Sequence, residues 1–229
     1  MFSRQLSIPN PLALHVMAQR SLINNLWYRF LQNLIRLIAM VFYRVRHYGV
    51  QNIPADGGVL VVSNHQSHFD PPLVGIGISR RMNYVARETL FNAPLFGRII
   101  HSVGAIPLDR DGLGLAGIKE SLKRLKSGEM VLIFPEGTRS RDGEIAKFRP
   151  GFTTLAVRSK ASILPVAIDG AYQVWPRSKK FPRLGKTIRV CYGKPILPVE
   201  YAGMDEHALV AEVERRVRAC QAELRAMAS

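Results

Sequence analysis

Val59-Leu60-Val61-Val62-Ser63 carries no charge, and Asn64-His65-Gln66-Ser67-His68-Phe69-Asp70 follows it at once. An unbroken apolar run of this length reads as a strand covered on both faces, the habit of a parallel sheet flanked by helices. The polar stretch behind it then lies beyond the carboxyl end of a strand, where such sheets commonly place their sites. Outward from this point the same alternation recurs. Strands are expected at 45–48, 59–63, 83–86, 105–108, 130–134, 163–168 and 187–192, and helices from near Pro71, Ala93, Gly114, Gly151 and Asp205. In the helix after Gly114, Leu115, Ile118, Leu122 and Leu125 share a stripe, and Gly128 is a stop signal. The last helix opens on Asp205 and Glu206 and carries Arg215, Arg216 and Arg218 later, which suits the helix dipole. The expected fold is α/β: a single domain over 45–229, with a mixed, largely parallel central sheet flanked by helices.

The 229 residues suffice for one sizeable core, and no repeats or low-complexity tracts divide them. Lys and Arg outnumber Asp and Glu by 32 to 17, so the chain should seek anionic partners. Cys191 and Cys220 are too few for a disulfide framework and match no metal spacing, so both are read as reduced core thiols. No metal and no cofactor are expected, because no His/Cys/Asp/Glu cluster has ligand spacing. Arg4, Pro9, Asn10 and Pro11 interrupt any leader-like apolar stretch, and no segment holds the roughly 20 apolar residues of a spanning helix. Residues 1–44 are assigned to a helical interfacial segment, although 1–20 show no period. From Leu22 onward Arg29, Gln32, Asn33 and Arg36 share one face, and Trp27, Phe30, Leu31, Leu34, Ile35, Ile38 and Phe42 cover the rest. Trp27, Arg29, Phe30, Leu34, Arg36 and Phe42 are therefore the expected membrane contacts, with Tyr28, Tyr43 and Arg44 also at headgroup depth. A helix packed on its own domain is the competing reading. The expected location is peripheral or monotopic, on the cytoplasmic face of the inner membrane.

Four segments carry chemistry. In a regular helix His65 and Asp70 would point about 140° apart, so they meet only if the chain turns between them. Asp70-Pro71-Pro72 supplies a helix start, with Asp70 as N-cap. A carboxylate on one imidazole nitrogen leaves the other as a general base. Its partner is the substrate's hydroxyl or, less well supported by local sequence, Ser63 or Ser67. In Gly104-Ala105-Ile106-Pro107-Leu108-Asp109-Arg110, Arg110 has the fork to grip a phosphate. In Phe134-Pro135-Glu136-Gly137-Thr138-Arg139-Ser140, Gly137 permits a tight turn. Thr138, Arg139 and Ser140 add donors suited to a phosphate, and Glu136 is suited to orienting Arg139 or meeting a substrate hydroxyl. Ile163-Leu164-Pro165-Val166-Ala167-Ile168 is an apolar strand with an internal proline, expected at an edge or a bulge.

Taken in order, these four segments resemble the sequence blocks of the glycerolipid acyltransferases, with His65 to Asp70 matching the family's H-x4-D motif. The resemblance runs from Tyr48-Gly49-Val50-Gln51-Asn52-Ile53-Pro54 to Gly193-Lys194-Pro195-Ile196. It is nearest to the bacterial 1-acyl-sn-glycerol-3-phosphate acyltransferases, with their two-helix amphipathic N-terminus. Pro107 and Arg149 depart from the residues common at those places. The resemblance implies that His65, helped by Asp70, deprotonates the sn-2 hydroxyl of lysophosphatidic acid. That hydroxyl then attacks the thioester of an acyl-carrier protein or acyl-CoA without an acyl-enzyme, giving phosphatidic acid for phospholipid biosynthesis. It further implies that Arg110 and Arg139 hold the acceptor phosphate in a pocket shaped by Glu136 and Gly137. The expected partners are an anionic membrane surface, lysophosphatidic acid and the thioester, with no nucleic acid. Two other readings stand beside it: the same chemistry on a lyso-aminolipid or another lysophospholipid, and a basic membrane-binding protein without catalysis.

Overall fold

The computed structural model describes residues 22–108 and 114–228. Seven strands form one sheet: β1 (Arg44–Tyr48), β2 (Val59–Ser63), β3 (Met82–Arg87), β4 (Ile106–Leu108), β5 (Met130–Ile133), β6 (Ser162–Asp169) and β7 (Thr187–Tyr192). Their order is β1-β7-β6-β2-β5-β3-β4, parallel throughout except where β6 meets β7. The helices are α1 (Leu22–Phe42), α2 (Asp70–Ile76), α3 (Pro94–Ser102), α4 (Leu115–Lys126), α5 (Phe152–Ser159), α6 (Ala171–Val174), α7 (Pro198–Tyr201) and α8 (Glu206–Ala226). The sheet is mixed and mostly parallel, as the apolar runs predict, and each expected strand is found within two residues of its bounds.

Alternation along β2 sorts its side chains into two cores. Leu60 and Val62 pack with α5 and α8 through Phe152, Leu155, Val213 and Val217. Val59 and Val61 pack on the other face with Leu73 and Val74 of α2 and with Ala39 of α1. All four β2 side chains are inaccessible to solvent, which is why the strand shows no polar period in the sequence. At the start of α8 Asp205 accepts the Ala208 N–H at 2.7 Å, the cap expected there.

Pro165 does not mark an edge. β6 lies inside the sheet, between β7 and β2. The β6–β7 ladder runs from Val166 to Asp169, and Ile163 exchanges both backbone bonds with Ile196 further on. Pro165 falls between these two pairings, where Gly193-Lys194-Pro195 leads away from β7, so the N–H it lacks is missing where the ladder already breaks.

Helix α2 is only seven residues long, yet all of its last four carbonyls are satisfied by side chains from elsewhere. His47 Nε2 meets Leu73 O at 3.1 Å and Tyr192 Oη donates to Val74 O at 2.7 Å. Gln32 Nε2 donates to Gly75 O and to Ile78 O, and Arg36 Nε donates to Ile76 O at 2.8 Å. These bonds replace the partners that a helix end loses, and they hold Asp70 at the other end of α2 in place.

The same bonds orient α1, and the expectation is corrected for Arg36, Tyr28 and Tyr43. Arg36 does not face outward; it turns inward onto α2. Tyr28 and Tyr43 are buried, Tyr28 accepting the Met82 N–H and Tyr43 packing edge-on to Phe69. The inward face of α1 is thus mixed, with Tyr28, Gln32, Ile35, Arg36 and Ala39 on it, and a wide apolar surface is left outside, with Ile23 75%, Leu37 56% and Met40 78% exposed. Phe30, Leu34 and Phe42 share that outer side, Arg29 is exposed, and Trp27 stacks on Phe30 while its Nε1 donates to Ser102. No described helix is long and apolar enough to cross a membrane.

Candidate active site

The segment after β2 turns back on itself, as a meeting of His65 with Asp70 requires. His65 Nδ1 lies 2.7 Å from Asp70 Oδ2. That oxygen also accepts the backbone N–H of Gln66 at 2.5 Å and of Ser67 at 2.6 Å. Asp70 therefore does not cap α2, for Phe69 holds the cap position; its carboxylate points back into the turn that it stabilises. Asp70 is fully buried, and its Oδ1 has no hydrogen-bond partner. With Asp70 as acceptor, Nδ1 carries the hydrogen and Nε2 is the basic nitrogen. The imidazole stacks on Phe134 at 4.0 Å between ring centroids, which fixes its plane, and 19% of the side chain reaches solvent. Ser63 and Ser67 are both fully buried, Ser63 Oγ donating to Asn64 O and Ser67 Oγ accepting from Phe69 N.

Neighbouring segments clamp this turn. Asn64 bonds both backbone groups of Ile168 at the end of β6, at 2.9 and 2.7 Å. Gln66 Nε2 donates to Gly143 O, and its Oε1 accepts from Tyr172 N. The His65 carbonyl accepts from Ser140 N at 2.7 Å.

Glu136 sits differently from expectation. Its Oε1 accepts the His65 N–H at 2.8 Å, its Oε2 accepts the Ala146 N–H at 3.0 Å, and only 3% of it is exposed. Both oxygens are spent on backbone, so Glu136 shapes the turn rather than facing a ligand. Burial pushes its carboxyl up to about 7, against the pull of those two N–H donors. Folded Glu136 thus keeps a proton that the unfolded chain releases near 4.5. Its contribution to stability is fully present below about 4.5 and lost as pH rises through about 7, on the order of 1–3 kcal/mol. The melting temperature should fall across that window more steeply than in Glu136→Gln; parallel pH profiles would show that Glu136 does not titrate there.

Arg139 supplies the positive side. Its Nη1 is buried without a hydrogen-bond partner. Burial, then the nearby charges of Arg177 and Arg87, hold its guanidinium below its ordinary range. Thr138 Oγ1 accepts from Arg177 Nη1 at 3.3 Å. Gly137 has φ +71°, a backbone conformation that strains any other residue, and a Cβ there would lie 3.2 Å from the Arg149 guanidinium carbon and push it aside. The positive charges of Arg177 and Arg87 thus lie near Arg139, an arrangement suited to an anion. Arg110 lies outside the described residues, as do residues 1–20.

His65, Arg87 and Arg139 all lie at or beyond the carboxyl ends of neighbouring parallel strands, β2, β3 and β5. Arg87 carried a readable signal, being the last residue of β3. Arg177 carried none, since it enters from the loop after α6 and belongs to no sequence block.

A protein-family model described as "Acyltransferase" matches residues 44–169. The 1-acyl-sn-glycerol-3-phosphate acyltransferase of Bacillus subtilis (strain 168) is 32% identical over 177 residues, covering 76% of this chain and 85% of that one. The 1-acyl-sn-glycerol-3-phosphate acyltransferase of Pseudomonas aeruginosa is 35% identical over 199 residues, covering 84% of this chain and 72% of that one. Among solved structures, the 1-acyl-sn-glycerophosphate acyltransferase PlsC of Thermotoga maritima superposes with a TM-score of 0.76 at 27% identity, over 94% of this chain and 87% of that one.

Proposed function

We propose, on the premise that this chain belongs to the acyltransferase family, that it makes phosphatidic acid. In this reading a fatty acyl group passes from an acyl thioester, borne by an acyl-carrier protein or coenzyme A, to the sn-2 hydroxyl of 1-acyl-sn-glycerol-3-phosphate. The observation that carries the reading is the His65–Asp70 contact of 2.7 Å beside the unpartnered Arg139 guanidinium.

His65 Nε2 takes the hydroxyl proton as the oxygen attacks the thioester carbonyl. The new C–O bond forms, the C–S bond breaks, and the proton passes from His65 to the departing thiolate. Asp70 keeps the tautomer and supports the positive imidazole between the two transfers. No acyl-enzyme is needed, and the buried, backbone-bonded hydroxyls of Ser63 and Ser67 support a direct transfer. No cofactor takes part; the thioester is a co-substrate. The acceptor phosphate is held by Arg139 and Arg177, with Arg87 close by and Arg110 as a further candidate from the sequence pattern. Residues 1–44 serve as the interfacial segment, with the outer face of α1 lying in the membrane surface.

Purified protein is given lysophosphatidic acid with each thioester in turn, and a diacyl product is expected from at least one donor. Product from a lyso-aminolipid and none from lysophosphatidic acid would move the acceptor elsewhere. No product from any pairing would overturn the reading.

A further inference from the structure

The eleven residues from Pro176 to Lys186 join α6 to β7 and hold five cations, Arg177, Lys179, Lys180, Arg183 and Lys186. No Asp or Glu occurs between Gly170 and Val199. Two large apolar side chains stand among these cations in nearly free positions, Phe181 at 80% and Leu184 at 60% exposed. A loop with no partner would be expected to hide such side chains.

The backbone of this loop is held in place. Arg183 N donates to Val174 O at 2.8 Å, and Trp175 Nε1 donates to Lys179 O at 2.9 Å. At its far end Gly185 N donates to Phe42 O and Arg44 N donates to Lys186 O, which fastens it to the C-terminal end of α1. At its near end Trp175 packs on His68 and Phe69, each at 4.8 Å, and Arg177 reaches Thr138. The loop therefore spans from the rim of the site to the exposed apolar end of α1, where Val41 is 64% and Phe42 47% exposed.

We infer that the Pro176–Lys186 loop is a second membrane-contact element, which docks on a bilayer surface rich in anionic headgroups. Phe181 and Leu184 enter the acyl boundary, and Lys179, Lys180, Arg183 and Lys186 lie at headgroup phosphates. Continuity with the apolar side of α1 favours a bilayer, because an acidic protein partner would engage the cations and leave that wider apolar surface uncovered. The loop then holds the Arg139 corner against the interface, so a lysolipid phosphate can enter it from the membrane plane. This deepens the acyltransferase reading and rests on it for the substrate, though not for the docking.

Flotation with phosphatidylcholine vesicles, with and without phosphatidylglycerol, separates the arms. Lys179→Ser with Lys180→Ser should weaken partition to the anionic vesicles about 30-fold, at about 1 kcal/mol per cation. Phe181→Ser with Leu184→Ser should weaken partition to both vesicle types. Turnover of a short-chain, monomerically dispersed acceptor should stay at the wild-type rate in both variants, which keeps a failure of docking distinct from a failure of the catalytic reading. Wild-type flotation of both variants would overturn the inference. So would unchanged flotation with turnover lost only when an acyl-carrier protein is the donor, since the loop would then be a protein-docking surface.

Discussion

His65→Ala should lower kcat about 1,000- to 10,000-fold while the melting temperature and the KM for the acceptor change little. The imidazole is partly exposed and its ring bonds only Asp70 among the described residues, which keeps the N–H groups of Gln66 and Ser67, so its removal takes away the proton acceptor and leaves the turn's other bonds in place. Asp70→Asn should also cost at least about 100-fold, by a different route. Asp70 Oδ2 receives His65 Nδ1 and the N–H groups of Gln66 and Ser67 while Oδ1 has no partner, so an amide can keep its oxygen in that place but loses the charge that supports a positive imidazole and buries an NH2 with no acceptor. Because Asp70 is wholly buried, this variant should also lose about 1–3 kcal/mol of stability. Steady-state kinetics beside thermal melts separate the two effects. A His65→Ala protein that keeps a tenth of its turnover would remove His65 from the role of base.

Arg139→Ala should lower kcat/KM for the phosphorylated acceptor about 100-fold, the scale of one charge-assisted hydrogen-bond set lost from a partly buried site. Arg177 and Arg87 remain and blunt the loss. The same substitution should scarcely alter the rate on 1-acylglycerol, which has no phosphate to hold. Arg139→Lys should recover part of the loss, since an ammonium supplies the charge without the two-pronged geometry. Equal losses on both acceptors would mean that Arg139 supports the fold of the turn instead of the headgroup.

The mixed sheet with helices on both faces lay open in the sequence because burial on both sides leaves a local mark. Val59–Ser63 and Met130–Ile133 are apolar without alternation, and each is followed by a polar turn. The meeting of His65 with Asp70 was legible only as a condition, since at five residues of spacing the two meet only if the chain bends, and the proline pair supplied a place for a helix to start. Separations of 71 residues between His65 and Glu136 and of 104 between Asn64 and Ile168 leave no such mark.

Sequence alone thus determined the strands, which follow from periods within a dozen residues, and its resemblance to the glycerolipid acyltransferases marked the order of the blocks and the candidate base with its carboxylate. Only the tertiary structure decided which way α1 faces, that Glu136 is spent on backbone N–H groups, that Pro165 lies inside the sheet, and that Arg87 and Arg177 join Arg139. Each of these depends on which distant backbone groups and charges the packed sheet brings together, and a buried carbonyl that needs a donor takes it from whatever side chain lies beside it in space.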